Sequence, residues 1–281
     1  MCTPGRPLPV FVEETFSARK RTPFRAQYTP RSPAKSCPPV SRITRSTETG
    51  HLPRGVSFKS ERKTNGVLAS PHYRPTAHGS YFDQCFEVIE KLGEGSFGEV
   101  FKARSRDDGR LYAVKRCWER FRGTSDRRNR LAEVERHETL PRHPNCLGFV
   151  NAWEERGLLY IQTELCQMSL AQYADLHGLV PEHRVWEILA DLLQGLDHLH
   201  SHQLGHFDIK PSNVFLASDG SCKLGDFGLC VSLDQNLDNA VEGDAKYMAR
   251  ELMCRQFSEA ADIFRSASLS LSLSLCVSYN Y

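Results

Sequence analysis

Two hydrophobic periods succeed one another along this chain once residue 82 is passed. Phe86-Glu87-Val88-Ile89-Glu90-Lys91-Leu92 alternates in the manner of a strand, and a second strand follows through Val100, Phe101 and Ala103. Leu111-Tyr112-Ala113-Val114-Lys115 and Leu159 to Cys166 predict two more strands. Residues 126–134, Leu170-Ala171-Gln172-Tyr173 and the run from Val185 to His200 carry helical period, the last as a buried helix. Residues 1 to about 80 show no sustained period and are rich in Pro, Ser, Thr, Arg and Lys, so they are expected to be disordered. A Ser-Leu alternation from Ser268 to Leu275 has period two and predicts strand or disorder rather than a core helix.

Composition adds boundaries. With 281 residues the chain can hold one large domain or two small lobes plus a tail. Hydrophobic residues make up 40% and charged residues 25%, ordinary for a soluble protein, and a net charge of +2 gives no reason to expect nucleic acid as a partner. The 10 cysteines are scattered singly without a C-x-x-C pair, which predicts a reduced chain with neither disulfides nor a zinc site. No apolar h-region opens the sequence, its second residue is Cys2 rather than Gly, and no run of about 18 apolar residues occurs, so no membrane span is expected. Thr3-Pro4, Thr22-Pro23, Thr29-Pro30, Ser32-Pro33 and Ser70-Pro71 lie beside basic residues, where phosphorylation by proline-directed kinases would change the local charge; chance in a Pro-rich segment is the alternative.

Candidate chemistry comes from three places. Gly93-Glu94-Gly95-Ser96-Phe97-Gly98 sits between two strands, so it cannot open a helix as a Rossmann fingerprint must. It suits a hairpin lid whose backbone N–H groups cover a triphosphate, although in isolation a simple tight turn is the better reading. Lys115 ends a strand at a near-buried position, which calls for an anion. Glu133 lies on the Leu131/Val134 side of the next helix and could reach it, unless it is simply a surface acid. Residues 206–228 then bring Asp208, Lys210, Asn213 and Asp226 together. They provide a carboxylate to orient a hydroxyl, a cation against phosphate charge, and oxygen ligands for magnesium.

Ala113-Val114-Lys115, the glycine lid, His206-Phe207-Asp208 with Asn213, and Asp226-Phe227-Gly228, in this order, resemble a eukaryotic protein kinase. Residues 133–166 (EVERHETLPRHPNCLGFVNAWEERGLLYIQTELC), the catalytic loop and residues 242–249 resemble the Wee-type kinases, in particular their membrane-associated branch acting on tyrosine and threonine. The similarity covers roughly residues 80–264.

That resemblance implies an α+β, bilobal kinase fold. It would have a disordered basic tail (1–80), an N-lobe with a five-stranded sheet and hinge (81–168), an incomplete helical C-lobe (169–264) and a divergent tail (265–281). It implies Asp208 and Lys210 as catalytic residues, Asn213 and Asp226 as Mg2+ ligands, and ATP held by Leu92, Gly93, Glu94, Gly95, Ser96, Phe97, Gly98, Val100, Ala113, Lys115, Glu133, Thr163, Glu164 and Cys166. Thr163 would be the gatekeeper, and Glu164 to Cys166 would offer backbone groups to adenine. The implied activity is ATP-dependent phosphorylation of Thr and Tyr in the glycine lid of a cyclin-dependent kinase bound to its cyclin, restraining the onset of mitosis. The chain would act as a cytoplasmic monomer, while a full-length relative would sit on endoplasmic reticulum or Golgi membranes. A non-catalytic product that binds ATP or cyclin complexes, and a generic Ser/Thr kinase as Lys210 suggests, are the alternatives.

The sequence also departs from the family. Phe207 replaces the arginine that usually pairs with an activation-loop phosphate, which predicts a loop ordered without phosphorylation. Arg250 stands in place of proline, so Glu251 is in a changed setting and loses its distal arginine. Asp262 occupies the place of the aspartate that holds the catalytic loop from below, but Arg265-Ser266-Ala267 and the Ser-Leu run replace the family's helix, predicting a truncated and poorly stable C-lobe.

Overall fold

The structure, a computed structural model, describes residues 52–59, 66–95, 98–118, 120–233 and 258–275. Among these residues the N-terminal lobe is an antiparallel sheet of six strands. They are β1 (Arg54–Gly55), β2 (Phe86–Gly95), β3 (Gly98–Ser105), β4 (Leu111–Cys117), β5 (Phe149–Glu155) and β6 (Leu158–Glu164), in the order β1-β5-β6-β4-β3-β2. Helix α1 (Tyr81–Cys85) leads into β2, and its capping box pairs Ser80 with Asp83. Helix α2 (Thr124–Thr139) packs Leu131 and Val134 with Ala152, Leu159 and Ile161 of the sheet.

The second lobe has helices α3 (Leu170–His177) and α4 (Glu182–Ser201), strands β7 (Met168–Ser169), β8 (Leu204–Gly205), β9 (Val214–Leu216), β10 (Cys222–Leu224) and β11 (Val231–Ser232), and helix α5 (Glu259–Leu275). The predicted buried helix is α4: Val185, Ile188, Leu192, Leu196 and Leu199 recur every three or four residues and lie in the core. Gly195 interrupts that stripe because a Cβ there would meet the carbonyl oxygen of Asn145 at 2.8 Å, and this close approach seats α4 under β10. The lobes join where Leu147 N–H donates to Leu224 O at 2.8 Å.

Three expectations are corrected. The five-stranded sheet gains a sixth edge strand, because β1 pairs Arg54 and Gly55 with Glu154 and Trp153 of β5. Residues 52–59 and 66–80, expected in the disordered tail, pack on the N-lobe: Val56 is buried and Leu68 and Tyr73 cover the aromatic cluster around Trp153. Their anchors are single apolar residues, so no period announces them; residues 1–51 and 60–65, with the Thr-Pro sites and Ser32-Pro33, lie outside the described residues.

The third correction concerns the Ser-Leu run, which is helical. Successive leucines two apart fall on two helix faces, and Leu269 with Leu273, one turn apart, forms the buried one at 0% and 5% exposure. Leu271 falls on the other face at 62% exposure. Serine hydroxyls satisfy themselves along the helix, Ser266 donating to Asp262 O at 3.1 Å and Ser270 to Ser266 O at 2.9 Å. Helix α5 therefore runs unbroken through 264 and 265, where a divergent tail was expected to begin.

Candidate active site

The glycine lid is the end of the β2–β3 hairpin, with Gly93 opposite Val100, Glu94 opposite Glu99, and Gly95 opposite Gly98. Leu92, Gly93, Glu94, Gly95, Gly98 and Val100 are thus brought to one hairpin, while Ser96 and Phe97 lie outside the described residues. At Gly98 a Cβ would stand 2.4 Å from Arg116 O, so any side chain would push the lid off β4.

Lys115 lies one residue before this contact on β4. Register places it between Val100 and Ile161, and its Nζ lies 2.7 Å from Glu133 Oε1 on α2 and 3.7 Å from Asp226 Oδ1. Burial alone would push the ammonium pKa down, yet Glu133 and then Asp226 hold it above the ordinary lysine value. The same pair acts on Asp226. Burial would raise its pKa, but Lys115, followed by His206, the Gly228 N–H and Lys210, leaves the carboxyl below its usual range. Lys115, Glu133 and Asp226 come from a strand, a helix and a loop distant in sequence, and the fold brings them together.

At the mouth of the hinge Thr163 pairs with Ala113 of β4, and its hydroxyl donates to Glu164 O at 3.2 Å. The Glu164 carboxylate is turned away from that strand pair. It accepts from Gly148 N–H at 2.6 Å and meets Lys223 Nζ at 3.1 Å, so only its backbone remains for a ligand. Burial pushes the Cys166 thiol up to about 11, and it stays protonated.

The opposite wall is the loop 206–213. Asp208 Oδ2 receives Lys210 Nζ at 2.9 Å and Asn213 Nδ2 at 2.8 Å. Asn213 Nδ2 also donates to Asp208 O at 2.9 Å, so the amide nitrogen of Asn213 is committed to Asp208 through both of these bonds. The two loops are tied to each other: Gly225 N–H donates to Asn213 O at 2.9 Å and His206 Nε2 donates to Gly225 O at 3.1 Å. The loop is fastened from below by Asp262, whose Oδ1 accepts from Phe207 N–H and whose Oδ2 accepts from His206 N–H, both at 2.8 Å; His200 Nε2 approaches Oδ2 at 3.0 Å.

Phe207 adopts φ 55° and buries its ring with Ala261 and Val231; a Cβ on Gly205 would touch that ring at 2.3 Å. An apolar plug thus occupies the place of a charged one. Residues 234–257, with the 242–249 stretch, Arg250 and Glu251, lie outside the described residues, so the expected ordering of the activation loop without phosphorylation falls outside them too.

Three residues near the site were not singled out from sequence. Arg136 and His137, one turn beyond Glu133 on α2, contact Gly228 and Phe227, and their i+3 and i+4 spacing from Glu133 was the available signal. Arg265 is fully buried on α5 with Nη1 3.9 Å from Asp208 Oδ1; nothing in the serine-rich run around it announces that contact. The alternating histidines have separate structural partners: His198 Nε2 bonds Pro141 O, His200 bonds Asp262, and His202 Nδ1 bonds His198 O.

A glycine hairpin over a Lys–Glu pair, with an aspartate loop opposite, is an arrangement of the protein kinase type. Residues 86–276 match the protein kinase domain, and the chain belongs to that family. Its curated relatives include Wee1-type kinases. A "membrane-associated tyrosine- and threonine-specific cdc2-inhibitory kinase" of Drosophila melanogaster is 51% identical over 234 residues, covering 81% of this chain and 44% of the relative. The corresponding wee-1.3 kinase of Caenorhabditis briggsae is 42% identical over 271 residues, covering 94% and 40%. A Wee1-like protein kinase of Arabidopsis thaliana is 37% identical over 182 residues, covering 64% and 36%. The chain spans less than half the length of these relatives. Among the described residues no helix is long and apolar enough to cross a membrane.

Proposed function

We propose that this chain transfers the γ-phosphate of ATP to Thr and Tyr of a cyclin-dependent kinase in its cyclin complex and so restrains the onset of mitosis. The names of the relatives support the substrate, and one observation supports the chemistry: Lys115 meets both Glu133 and Asp226. In this reading the glycine hairpin from Leu92 to Val100 covers the triphosphate, Ala113 and Thr163 bound the adenine, and the backbone from Glu164 to Cys166 binds its edge. Lys115, kept charged by Glu133, holds the phosphates in place. Asp208 accepts the proton of the attacking hydroxyl, and Lys210 offsets charge on the transferring group.

Two oxygen donors, Asn213 Oδ1 and the ionised Asp226 carboxylate, suit a hard cation, and they are the residues that would hold Mg2+. The ion would neutralise phosphate charge as the bond to the leaving group breaks. Asp262 keeps Asp208 in register by binding the two N–H groups before it.

The experiment incubates the purified chain with Mg-ATP and a cyclin-dependent kinase–cyclin complex, with Asp208→Asn as control. Phosphate on both Tyr and Thr that disappears in the control is the expected result. Phosphate on unrelated serine peptides alone would favour the generic Ser/Thr kinase that Lys210 suggests. An ATP-induced melting shift without transfer would favour a non-catalytic binder.

A further inference from the structure

Phe207, where the resemblance would put an arginine, is buried with Ala261, and Asp226 is nevertheless turned toward Lys115, 3.7 Å away. That orientation has a cost, because Asp226 holds the left-handed backbone (φ 62°), which a residue other than glycine keeps only when its surroundings impose it. The ties around it come from α2. Arg136 Nη1 donates to Gly228 O at 3.2 Å, and the His137 ring lies 4.5 Å from the Phe227 ring while its Nε2–H is bonded to Leu147 O at 2.7 Å. Gly228 sits close beneath α2, since a Cβ on it would be 3.2 Å from Asp226 Oδ1 and 3.6 Å from Glu133 Oε2. The turn closes with Gly228 N–H to Asp226 Oδ1 at 3.4 Å and Cys230 N–H to Phe227 O at 3.2 Å.

We propose that Arg136 is a positioning residue. Its charge-assisted bond to the Gly228 carbonyl pins the 226–230 turn to α2 and holds Asp226 toward Lys115 and the cation site without help from a phosphorylated segment. Glu133, Arg136 and His137 lie within two turns of one helix, so α2 sets the lysine and the aspartate together. This deepens the phosphotransfer reading and rests on it for the role of Asp226. A bland alternative is that Arg136 serves only the carboxyl end of its own helix, whose last turn it occupies.

The test uses the full chain after phosphatase treatment, with Arg136→Met and Arg136→Lys. Amide hydrogen exchange is followed in the peptide spanning 225–231, and phosphotransfer is measured against Mg2+ concentration. In Arg136→Met, exchange at 226–230 should speed up about tenfold while 214–224 is unchanged. Half-saturating Mg2+ should rise at least about threefold with kcat reduced, and Arg136→Lys should recover part of both. Unchanged exchange at 226–230 in Arg136→Met overturns the proposal, as does faster exchange confined to the end of α2. If the wild-type chain transfers no phosphate but the selective exchange difference appears, the pin stands and the phosphotransfer reading fails.

Discussion

The two walls of the candidate site are held in different ways. On the N-lobe side, Lys115 is positioned by side chains alone, with Glu133 and Asp226 supplying charge from a helix and a loop. On the C-lobe side, Asp208 is positioned through its backbone, because one buried carboxylate on α5 collects the N–H groups of His206 and Phe207. The first arrangement tolerates small shifts, since Coulomb attraction falls off gently, whereas the second depends on hydrogen-bond geometry in a dry core. The difference teaches that the helix with the least informative sequence, α5, carries the more exacting duty.

The comparison is most sharply tested at Asp262. In Asp262→Ala two buried N–H groups lose their acceptor, at roughly 1–3 kcal/mol each, so chemical denaturation should show a loss of about 2–6 kcal/mol and the chain should lose phosphotransfer altogether. Should that variant keep wild-type stability, the fastening from below does not exist. Next comes the assignment of faces on α5. Leu273→Ala should cost about 2–4 kcal/mol, while Leu271→Ala stays within about 0.5, and equal costs would mean that the run is not this helix.

On the N-lobe side, Lys115→Met should reduce phosphotransfer by about a hundredfold or more, read as kcat/KM on a peptide substrate. A smaller and more specific effect concerns His137. Burial holds its pKa down at about 4, with its hydrogen bond to Leu147 O opposing, so the folded chain binds it neutral. The unfolded chain takes up a proton below about 6.5, so this group's contribution to stability is complete above that pH and is lost as pH falls toward about 4. His137→Leu should flatten the stability profile in that window by on the order of 2–3 kcal/mol. A wild-type slope retained by the variant would place the titration elsewhere.

Much of this arrangement is legible in the sequence. Asp208, Lys210, Asn213 and Asp226 lie within nineteen positions, and the short turns between β9 and β10 leave them little freedom but to converge. Glu133 was readable only as one of two possibilities, because helical period shows the face of α2 but not what the face meets. The Ser-Leu run misled for a definite reason. Period two describes a strand, but its alternate leucines also make an i, i+4 pair, and only α4 packed alongside favours that pairing. Residues 54–59 and 66–73 were missed because segments that cover a sheet edge need a few anchors rather than a pattern.

What the amino-acid order determined by itself is the chemistry: which charged and amide groups are available, that a glycine hairpin precedes them, and that Phe207 removes a cation. Those properties belong to single residues and short spacings, and they survive any packing. What only the tertiary structure decided is which partner each group finds. Lys115 between Glu133 and Asp226, Asp262 under Phe207, and Arg136 on Gly228 all join segments far apart in the chain. Such pairings exist only because buried charge and buried N–H groups must be satisfied once the two lobes have closed their cores.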